Sequence, residues 1–171
     1  MNVILDACSI INLHNGGVLR CVCCIPHFHV QVGPIVGGEC SEDCALAIAS
    51  LHTDGDLEYL EDNEIEVDDF LSFVDQNRLG DGESECILLA NLDSQSSICC
   101  DDRRGRLKAT EILGEERVLG SLRLMRIAVQ NGLLESAEAF AAYELMRAAG
   151  GFLPTVGIGY FEGLSCLTPH L

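Results

Sequence analysis

The stretch that decides the fold is MNVILDACSIINL, residues 1–13. A short continuous apolar run, residues 2–5, is followed directly by Asp6, and SIINLH then continues as a predicted helix. Such a run is typical of a strand that is buried on both faces of a parallel sheet. The sequence therefore predicts an α/β fold in which Asp6 lies at the C-terminal end of the first strand.

The same alternation of apolar runs and helical patterns continues along the chain. Alternating strands and helices imply right-handed crossovers and a mainly parallel sheet. We therefore expect a three-layer α/β/α sandwich with a central sheet of about five strands. The further predicted strands are 28–32, 56–60, 96–100 and 117–120, and the later helices are 38–50, 64–77, 80–93, 106–113, 121–130 and 136–149.

The composition predicts one compact unit. A chain of 171 residues with 48% hydrophobic content can bury one sizeable core. We expect a domain over residues 1–152, with 153–171 as a C-terminal tail or short helix packed on it. The N-terminus lacks a basic region, and no apolar stretch reaches the roughly 18 uncharged residues of a membrane span. We therefore expect a cytoplasmic protein whose ten cysteines are reduced.

Cysteine and histidine are concentrated in CVCCIPHFH, residues 21–29. Zinc could use four of these side chains. The spacing lacks a clean CxxC knuckle and there is no second half-site, so packed thiols are the preferred interpretation. Free cysteine packs as a small hydrophobic residue.

Acidic residues stand at the edges of the apolar runs. Asp6 and Asp101–Asp102 follow the first and fourth strands, while Glu39 and Glu83 are predicted in the first turns of helices. All of these positions lie at the carboxyl pole of a parallel sheet, where ligands bind in such folds. Crowded carboxylates repel and require a hard divalent cation such as Mg²⁺ or Mn²⁺. The pattern indicates metal-dependent phosphodiester chemistry.

The formal net charge of −17 weakens non-specific binding to phosphate. Basic residues nevertheless follow Asp101–Asp102 directly, as Arg103, Arg104, Arg106 and Lys108. A local basic patch can hold a nucleic-acid backbone on an acidic molecule. A solvated helix face paired with neighbouring glutamates explains the same residues equally well.

With these motifs in view, the sequence resembles PIN-domain proteins, and in particular an uncharacterised branch related to the VapC-type toxins. The matching segments are LDACSIINL, VGGEC, LGDGESECILLA, ICCDDRRGRLKA and VLGSLRLMRIAVQNGLL. They cover about residues 2 to 152. LGDGESECILLA and ICCDDRRGRLKA are the most specific, because each joins an acidic position to a patterned helix.

The resemblance implies a metal-dependent endoribonuclease. Its catalytic quartet would be Asp6, Glu39, Glu83 and Asp102, which together with the alternative Asp101 would bind Mg²⁺ or Mn²⁺. Ser9 and Glu85 would support these ligands, and Arg103, Arg104 and Arg106 would bind RNA. Family members commonly carry Ser or Asn two residues after the first aspartate, whereas this chain has Cys8.

The resemblance also implies partners. They are an RNA substrate, a small antitoxin protein that masks the active site, and a second copy of the chain in a homodimer. The helices at 120–130 and 136–148 supply apolar residues for such a dimer, although the same residues would also complete a monomer core. The alternative function is a PIN-fold interaction or regulatory module with little or no nuclease activity.

Overall fold

The computed structural model describes residues 1–61 and 65–162. Within these residues the five expected strands pair side by side, and every pairing is parallel. The predicted α/β sandwich with a parallel sheet of about five strands is confirmed. The strands are β1 Asn2–Leu5, β2 His29–Val32, β3 Glu58–Tyr59, β4 Ser96–Cys99 and β5 Val118–Leu119.

The sheet order is β3-β2-β1-β4-β5, so β1 lies at its centre. Asn2 is in register with both His29 of β2 and Ser96 of β4. β1 and β4 are buried almost throughout, as expected for strands covered on both faces. The amino-terminal stretch therefore forms the core of the sheet.

Helices connect the strands and follow the fifth. They are α1 Ala7–Asn15, α2 Leu19–Cys23, α3 Pro34–Glu39, α4 Glu42–Asp54, α5 Val67–Asn77, α6 Asp81–Leu92, α7 Arg103–Leu113, α8 Ser121–Gln130 and α9 Ser136–Ala148. None of these described helices is long and apolar enough to span a membrane.

The strand order fixes where the connections change direction. From β1 the chain moves outward to β2 and β3, and it then returns across the sheet to β4 and β5. Right-handed crossovers place the helices that connect β1, β2 and β3 on one face of the sheet and the helix that connects β4 to β5 on the other. In agreement, α1 packs against α4, α8 and α9, while α6 packs against α5 and α7. The change occurs between β1 and β4, and the crevice at their carboxyl ends is the expected binding site.

One predicted helix is two helices, which corrects the environment assigned to Glu39. Pro34 begins α3, a first-turn position that suits proline. Cys40 is extended, and the Ser41 hydroxyl then caps α4 by accepting a hydrogen bond from the backbone N–H of Cys44. Glu39 is therefore the last residue of α3. The predicted first-turn position, at the positive end of a helix dipole, is therefore wrong for Glu39, since that end of α3 lies at Pro34.

The cysteine-rich segment overlaps the end of α2, a helix that the sequence pattern did not predict. Cys23, the last residue of α2, is buried in the core, Cys21 is half-buried and Cys24 is exposed. Further along the chain, Cys44, Cys86, Cys99 and Cys100 are buried. These side chains pack as small hydrophobic residues. The exposed Cys24 has no such explanation.

The apolar residues of α8 and α9 mostly fill the core of this chain. Leu124, Met125, Tyr143 and Met146 are at most 1% exposed, whereas Leu145 is exposed. The expectation of a dimer rested on six apolar side chains, those of Leu124, Met125, Phe140, Tyr143, Leu145 and Met146. Four of the six are therefore not available to a second copy. The dimer itself stays a prediction.

The chain after α9 packs on the same core as far as it is described. Phe161 is fully buried and contacts the ring of Tyr143. A single 3₁₀ turn, Ile158–Tyr160, precedes it. The predicted tail also includes residues 163–171, which lie outside the described residues, and the boundary at residue 152 stays a prediction.

Candidate active site

Asp6 lies at the carboxyl end of the central strand and caps α1. Its Oδ1 accepts a hydrogen bond of 2.7 Å from the backbone N–H of Ser9. The residue is 1% exposed, and its Oδ2 is buried without a hydrogen-bond partner in the described chain. A buried carboxylate oxygen without a partner is energetically costly, since almost all such atoms are satisfied in folded proteins.

Burial raises the pKa of Asp6 from 3.8 to about 6. The hydrogen bond from the Ser9 N–H and the nearby Cys100 thiol oppose this shift, and the nearby Asp101 carboxylate adds to it. The anionic form of Asp6 is therefore poorly solvated. A cation at Oδ2 would supply the missing interaction and favour ionisation.

Glu83 and Asp102 form a second acidic pair. Glu83 Oε2 accepts a 3.1 Å hydrogen bond from the backbone N–H of Gly80 in the first turn of α6. Asp102 caps α7, where its Oδ1 accepts bonds of 2.7 Å and 3.0 Å from the backbone N–H groups of Arg104 and Gly105. Burial and then the neighbouring Asp102 raise the pKa of Glu83. Although burial opposes it, the two N–H bonds lower the pKa of Asp102.

Glu39 reaches this region from the end of α3. Its Oε1 accepts a 3.2 Å hydrogen bond from the backbone N–H of Gly82, which adjoins Glu83. A side chain at Gly82 would place Cβ 2.6 Å from Glu39 Oε2. A side chain at Gly105 would likewise approach Glu83 Oε1 to 3.1 Å. Glycine at these two positions allows the carboxylates to lie close to neighbouring backbone.

Cys8 shows how closely the acids surround one point. Desolvation, followed by the carboxylates of Asp6, Asp102, Glu83 and Asp101 in that order, raises the pKa of Cys8 to about 12. The thiol is therefore protonated at neutral pH. The carboxylates of Asp6, Asp102, Glu83 and Asp101 therefore lie near Cys8, and Glu39 reaches the same region through Gly82.

Asp101 and Asp102 differ in their hydrogen bonds. Asp101 Oδ2 accepts bonds from Asn12 Nδ2 at 2.8 Å and Ser121 Oγ at 2.5 Å, and its Oδ1 accepts from the backbone N–H of Ser121 at 2.9 Å. Asp101, just after β4, is therefore joined to α1 through Oδ2 and to α8 through both oxygen atoms. Asp102 keeps its side chain toward Glu83, which favours Asp102 over Asp101 as the fourth acid of the quartet.

Glu85 and Ser9, the two residues expected to support the quartet, act locally. Glu85 is 3% exposed, and its oxygens each accept a 3.0 Å bond from a backbone N–H at the start of α3, those of Ile35 and Val36. It therefore holds the helix that ends at Glu39. Ser9 positions Asp6 through its backbone, whereas its buried hydroxyl lacks a partner in the described chain.

The three arginines predicted to bind RNA are in different environments. Arg106 Nη1 donates to the backbone oxygens of Cys100 and Leu119, at 2.9 Å and 2.6 Å. Arg104 Nη2 donates to the backbone oxygen of Arg78. Arg103 is exposed and has no side-chain partner among residues 1–61 and 65–162. Of the three, Arg103 is the most available to a ligand.

The donor atoms fit a hard divalent cation. Mg²⁺ and Mn²⁺ prefer carboxylate oxygens, and Asp6 offers a buried oxygen without a partner. In the part of the chain that the structure describes, no three His, Cys, Asp or Glu side chains already stand in a metal-binding arrangement. Cation binding therefore requires the carboxylates to rotate, and Glu39 and Asp102 to exchange hydrogen bonds for metal bonds.

Sequence reasoning missed several residues that shape this site. Ser121 and Asn12 hold Asp101, and Gly82 and Gly105 admit the carboxylates. Ser121 follows β5 by two residues, so its position near the carboxyl end of a strand was a usable signal. Gly82, in the first turn of the predicted helix 80–93, was another, because glycine allows close approach to the backbone. Asn12 gave no local signal.

Comparison with known proteins supplies one match. A family model described as a PIN domain matches residues 2–155, nearly the whole chain. No curated protein and no solved structure matches the sequence of this protein. The family match confirms the PIN-domain resemblance, whereas the closer likeness to VapC-type toxins stays a prediction.

Proposed function

We propose that this chain, which belongs to the PIN-domain family, is a metal-dependent endoribonuclease that hydrolyses phosphodiester bonds of RNA. Proteins of this family are commonly nucleases. The observation that carries the proposal is Asp6 Oδ2, buried without a described partner at the crevice between β1 and β4 and surrounded by further carboxylates. A binding surface alone requires no such arrangement.

In this proposal Asp6 and Asp102 bind Mg²⁺ or Mn²⁺ directly. Glu39 and Glu83 either bind it or orient its waters. When bound, such an ion would lower the pKa of a coordinated water from 15.7 toward about 7 and would stabilise charge that develops on the phosphoryl oxygens. Asp101 and Glu85 keep the pocket in shape by joining β4 and α3 to neighbouring elements.

The remaining residues handle the substrate and the protons. Arg103, at the first turn of α7, meets a phosphate beside the scissile bond, where a guanidinium binds two oxygens at once. The pKa of Glu83 is raised and that of Asp102 is lowered, so Glu83 is the more basic member of this pair. The more basic Glu83 is the suitable group to receive a proton from an attacking water.

The likeness to VapC-type toxins extends the proposal to biology. We propose that the chain is the toxin-like component of a toxin–antitoxin module, with a small protein that covers the acidic pocket, and that it forms a homodimer. Expression of the wild-type chain in bacteria should then arrest growth, while the Asp6→Asn variant should not. Growth arrest by both the wild-type chain and Asp6→Asn would contradict the proposal that the toxicity comes from nuclease activity.

The biochemical test is cleavage of labelled single-stranded RNA by the purified chain. We expect cleavage with Mg²⁺ or Mn²⁺, none with excess EDTA, and none by Asp6→Asn. Asp68→Asn is the matched control, because Asp68 is an exposed aspartate on α5. Absence of cleavage by the wild-type chain with either ion would overturn the proposal.

An interaction module is the second candidate, and the distribution of basic residues favours it. Arg20 is paired with Asp54 and Asp56, and Arg117 donates to three backbone oxygens. On a chain with a net charge of −17, few cations then remain for a polyanion. This candidate predicts an intact, stable chain that binds a protein partner and leaves RNA uncut.

A further inference from the structure

Phe152 is the most exposed large hydrophobic residue in the described chain, at 97%. Phenylalanine usually contributes its large apolar surface to a core. Phe152 instead projects just after α9, beside the carboxyl pole that carries the acidic pocket. An aromatic ring in this position requires an explanation.

The backbone around Phe152 is held firmly, so its exposure is not that of a loose tail. The buried Tyr143 hydroxyl donates to the backbone oxygen of Pro154 and accepts from the backbone N–H of Val156, both at 3.1 Å. On the other side, a Cβ on Gly151 would lie only 2.5 Å from Asn12 Oδ1. The fold therefore presents the ring outward from a fixed segment.

Two cavities meet at this ring. The first, of about 270 Å³, is lined by the acidic residues Asp101 and Asp102 and also by Cys8, Asn15 and Phe152. The second, of about 310 Å³, is lined by Arg123 and Tyr160 and again by Asp101 and Phe152. Phe152 thus lies between a cavity lined by Asp102, one of the pocket carboxylates, and a cavity lined by the side chain of Arg123.

We propose that Phe152 is a stacking platform for one unpaired nucleobase of the RNA whose phosphate lies at Asp6 and Asp102. This inference rests on the proposed function. Aromatic side chains stack on the faces of unpaired bases in many single-strand binding sites. The first cavity is smaller than the roughly 300–1,000 Å³ typical of pockets for drug-sized ligands, which suits a single heterocycle.

The polar residues of both cavities complement a nucleotide. Asn15 is exposed and has no side-chain partner within residues 1–61 and 65–162, so its amide can bond to the edge of a stacked base. Arg123 is exposed and equally without a described side-chain partner, so its guanidinium can bind the next phosphate. The RNA strand then passes from the acidic pocket over Phe152 to Arg123.

The test measures binding apart from cleavage, in the full chain carrying Asp6→Asn. A fluorescein-labelled single-stranded oligoribonucleotide is titrated at low salt, with fluorescence anisotropy as the readout. We expect Phe152→Ala to weaken binding about 5- to 150-fold, which corresponds to the roughly 1–3 kcal/mol of one base stacked on an aromatic ring. Phe152→Trp should restore it. Leu92→Ala is the control, since Leu92 is 62% exposed at the end of α6, at the opposite pole.

A second probe identifies the contact itself. An oligoribonucleotide that carries 2-aminopurine should lose fluorescence when the modified base stacks on Phe152, and Phe152→Ala should abolish this quenching. Equal affinity of Phe152→Ala and Leu92→Ala, or no RNA binding by any variant, would overturn the platform. So would a change from dimer to monomer in Phe152→Ala with quenching unaltered, which would make the ring a self-association contact.

Cleavage by the otherwise wild-type chain separates this inference from the proposed function. Loss of the platform with cleavage intact leaves the nuclease proposal standing. Aromatic-dependent RNA binding without any cleavage supports the platform and refutes the nuclease.

Discussion

Two groups of acidic residues lie at the same pole of the sheet and differ in their hydrogen bonds. The anchoring acids, Glu85 and Asp101, accept bonds at both carboxylate oxygens from groups on other elements. The pocket acids, Asp6, Glu83 and Asp102, surround Cys8, and Asp6 keeps an oxygen without a described partner. The carboxylates of the anchoring acids have hydrogen bonds at both oxygens, whereas those of the pocket acids are repelled by neighbouring carboxylates.

The difference separates stability from function. A buried carboxylate that accepts several N–H or O–H bonds stabilises the anion and joins the elements that supply the donors. A buried carboxylate without such donors destabilises the fold and is available to a cation. Substitutions should therefore cost more stability in the anchoring group and more activity in the pocket group.

The largest effect should be on RNA cleavage by Asp6→Asn. Loss of a residue that only supports a metal ligand typically costs 10–100-fold, so loss of a direct ligand should reduce cleavage by at least about 100-fold. The initial rate on labelled RNA measures it, with Asp68→Asn as the control. Undiminished, EDTA-sensitive cleavage by purified Asp6→Asn would remove Asp6 from the pocket acids.

The next effect concerns an anchoring acid. Glu85→Ala leaves the backbone N–H groups of Ile35 and Val36 without their acceptor and should lower the free energy of unfolding by roughly 2–4 kcal/mol. Glu83→Ala removes only one cap bond and should cost less than about 1 kcal/mol. Urea unfolding in metal-free buffer at pH 7 measures both. Equal losses would show that the two groups do not differ.

Asp6→Asn should also stabilise the metal-free chain at high pH, by roughly 1–3 kcal/mol. A carboxyl whose folded pKa is about 6 and whose unfolded pKa is 3.8 binds protons more tightly when folded. Stability therefore falls as pH rises from about 4 to 6 and stays lower above that, whereas asparagine escapes this loss.

Thermal melts of the wild-type chain and Asp6→Asn at pH 4 and pH 8 test this predicted direction of the pH dependence. The gain should be present at pH 8 and nearly absent at pH 4, and Mg²⁺ should reduce it by stabilising the wild-type chain alone. A gain of equal size at both values of pH would mean that Asp6 ionisation is not its source.

The smallest effect should come from the basic residues beside the pocket. Replacing Arg103 and Arg104 together by Glu should reduce cleavage by about tenfold and flatten its dependence on salt, because phosphate contacts are lost. Arg20→Glu, at the start of α2 and paired with Asp54 and Asp56, should change cleavage little. Similar losses from both replacements would indicate a general effect of net charge.

The sequence alone predicted the sheet and most of the pocket. Apolar runs that end in an acid predicted the strands, because a parallel strand buried on both faces needs continuous hydrophobic residues. Asp6 and the pair Asp101–Asp102 follow β1 and β4, whose neighbouring positions at the switch of direction place those acids together. Local pattern was sufficient because these features depend on residues that are adjacent in the chain.

Only the tertiary structure distinguished the two groups of acids. The choice between Asp101 and Asp102 depends on Asn12 and Ser121, which lie 89 and 20 residues from Asp101 in the sequence. The break before α4 placed Glu39 at a helix end that the hydrophobic pattern had predicted as a first turn. Phe152 is exposed because Tyr143 and Asn12 fix the segment around it. The hydrogen bonds that each carboxylate accepts and the burial or exposure of each side chain depend on residues that are distant in the sequence. No local sequence pattern specifies them.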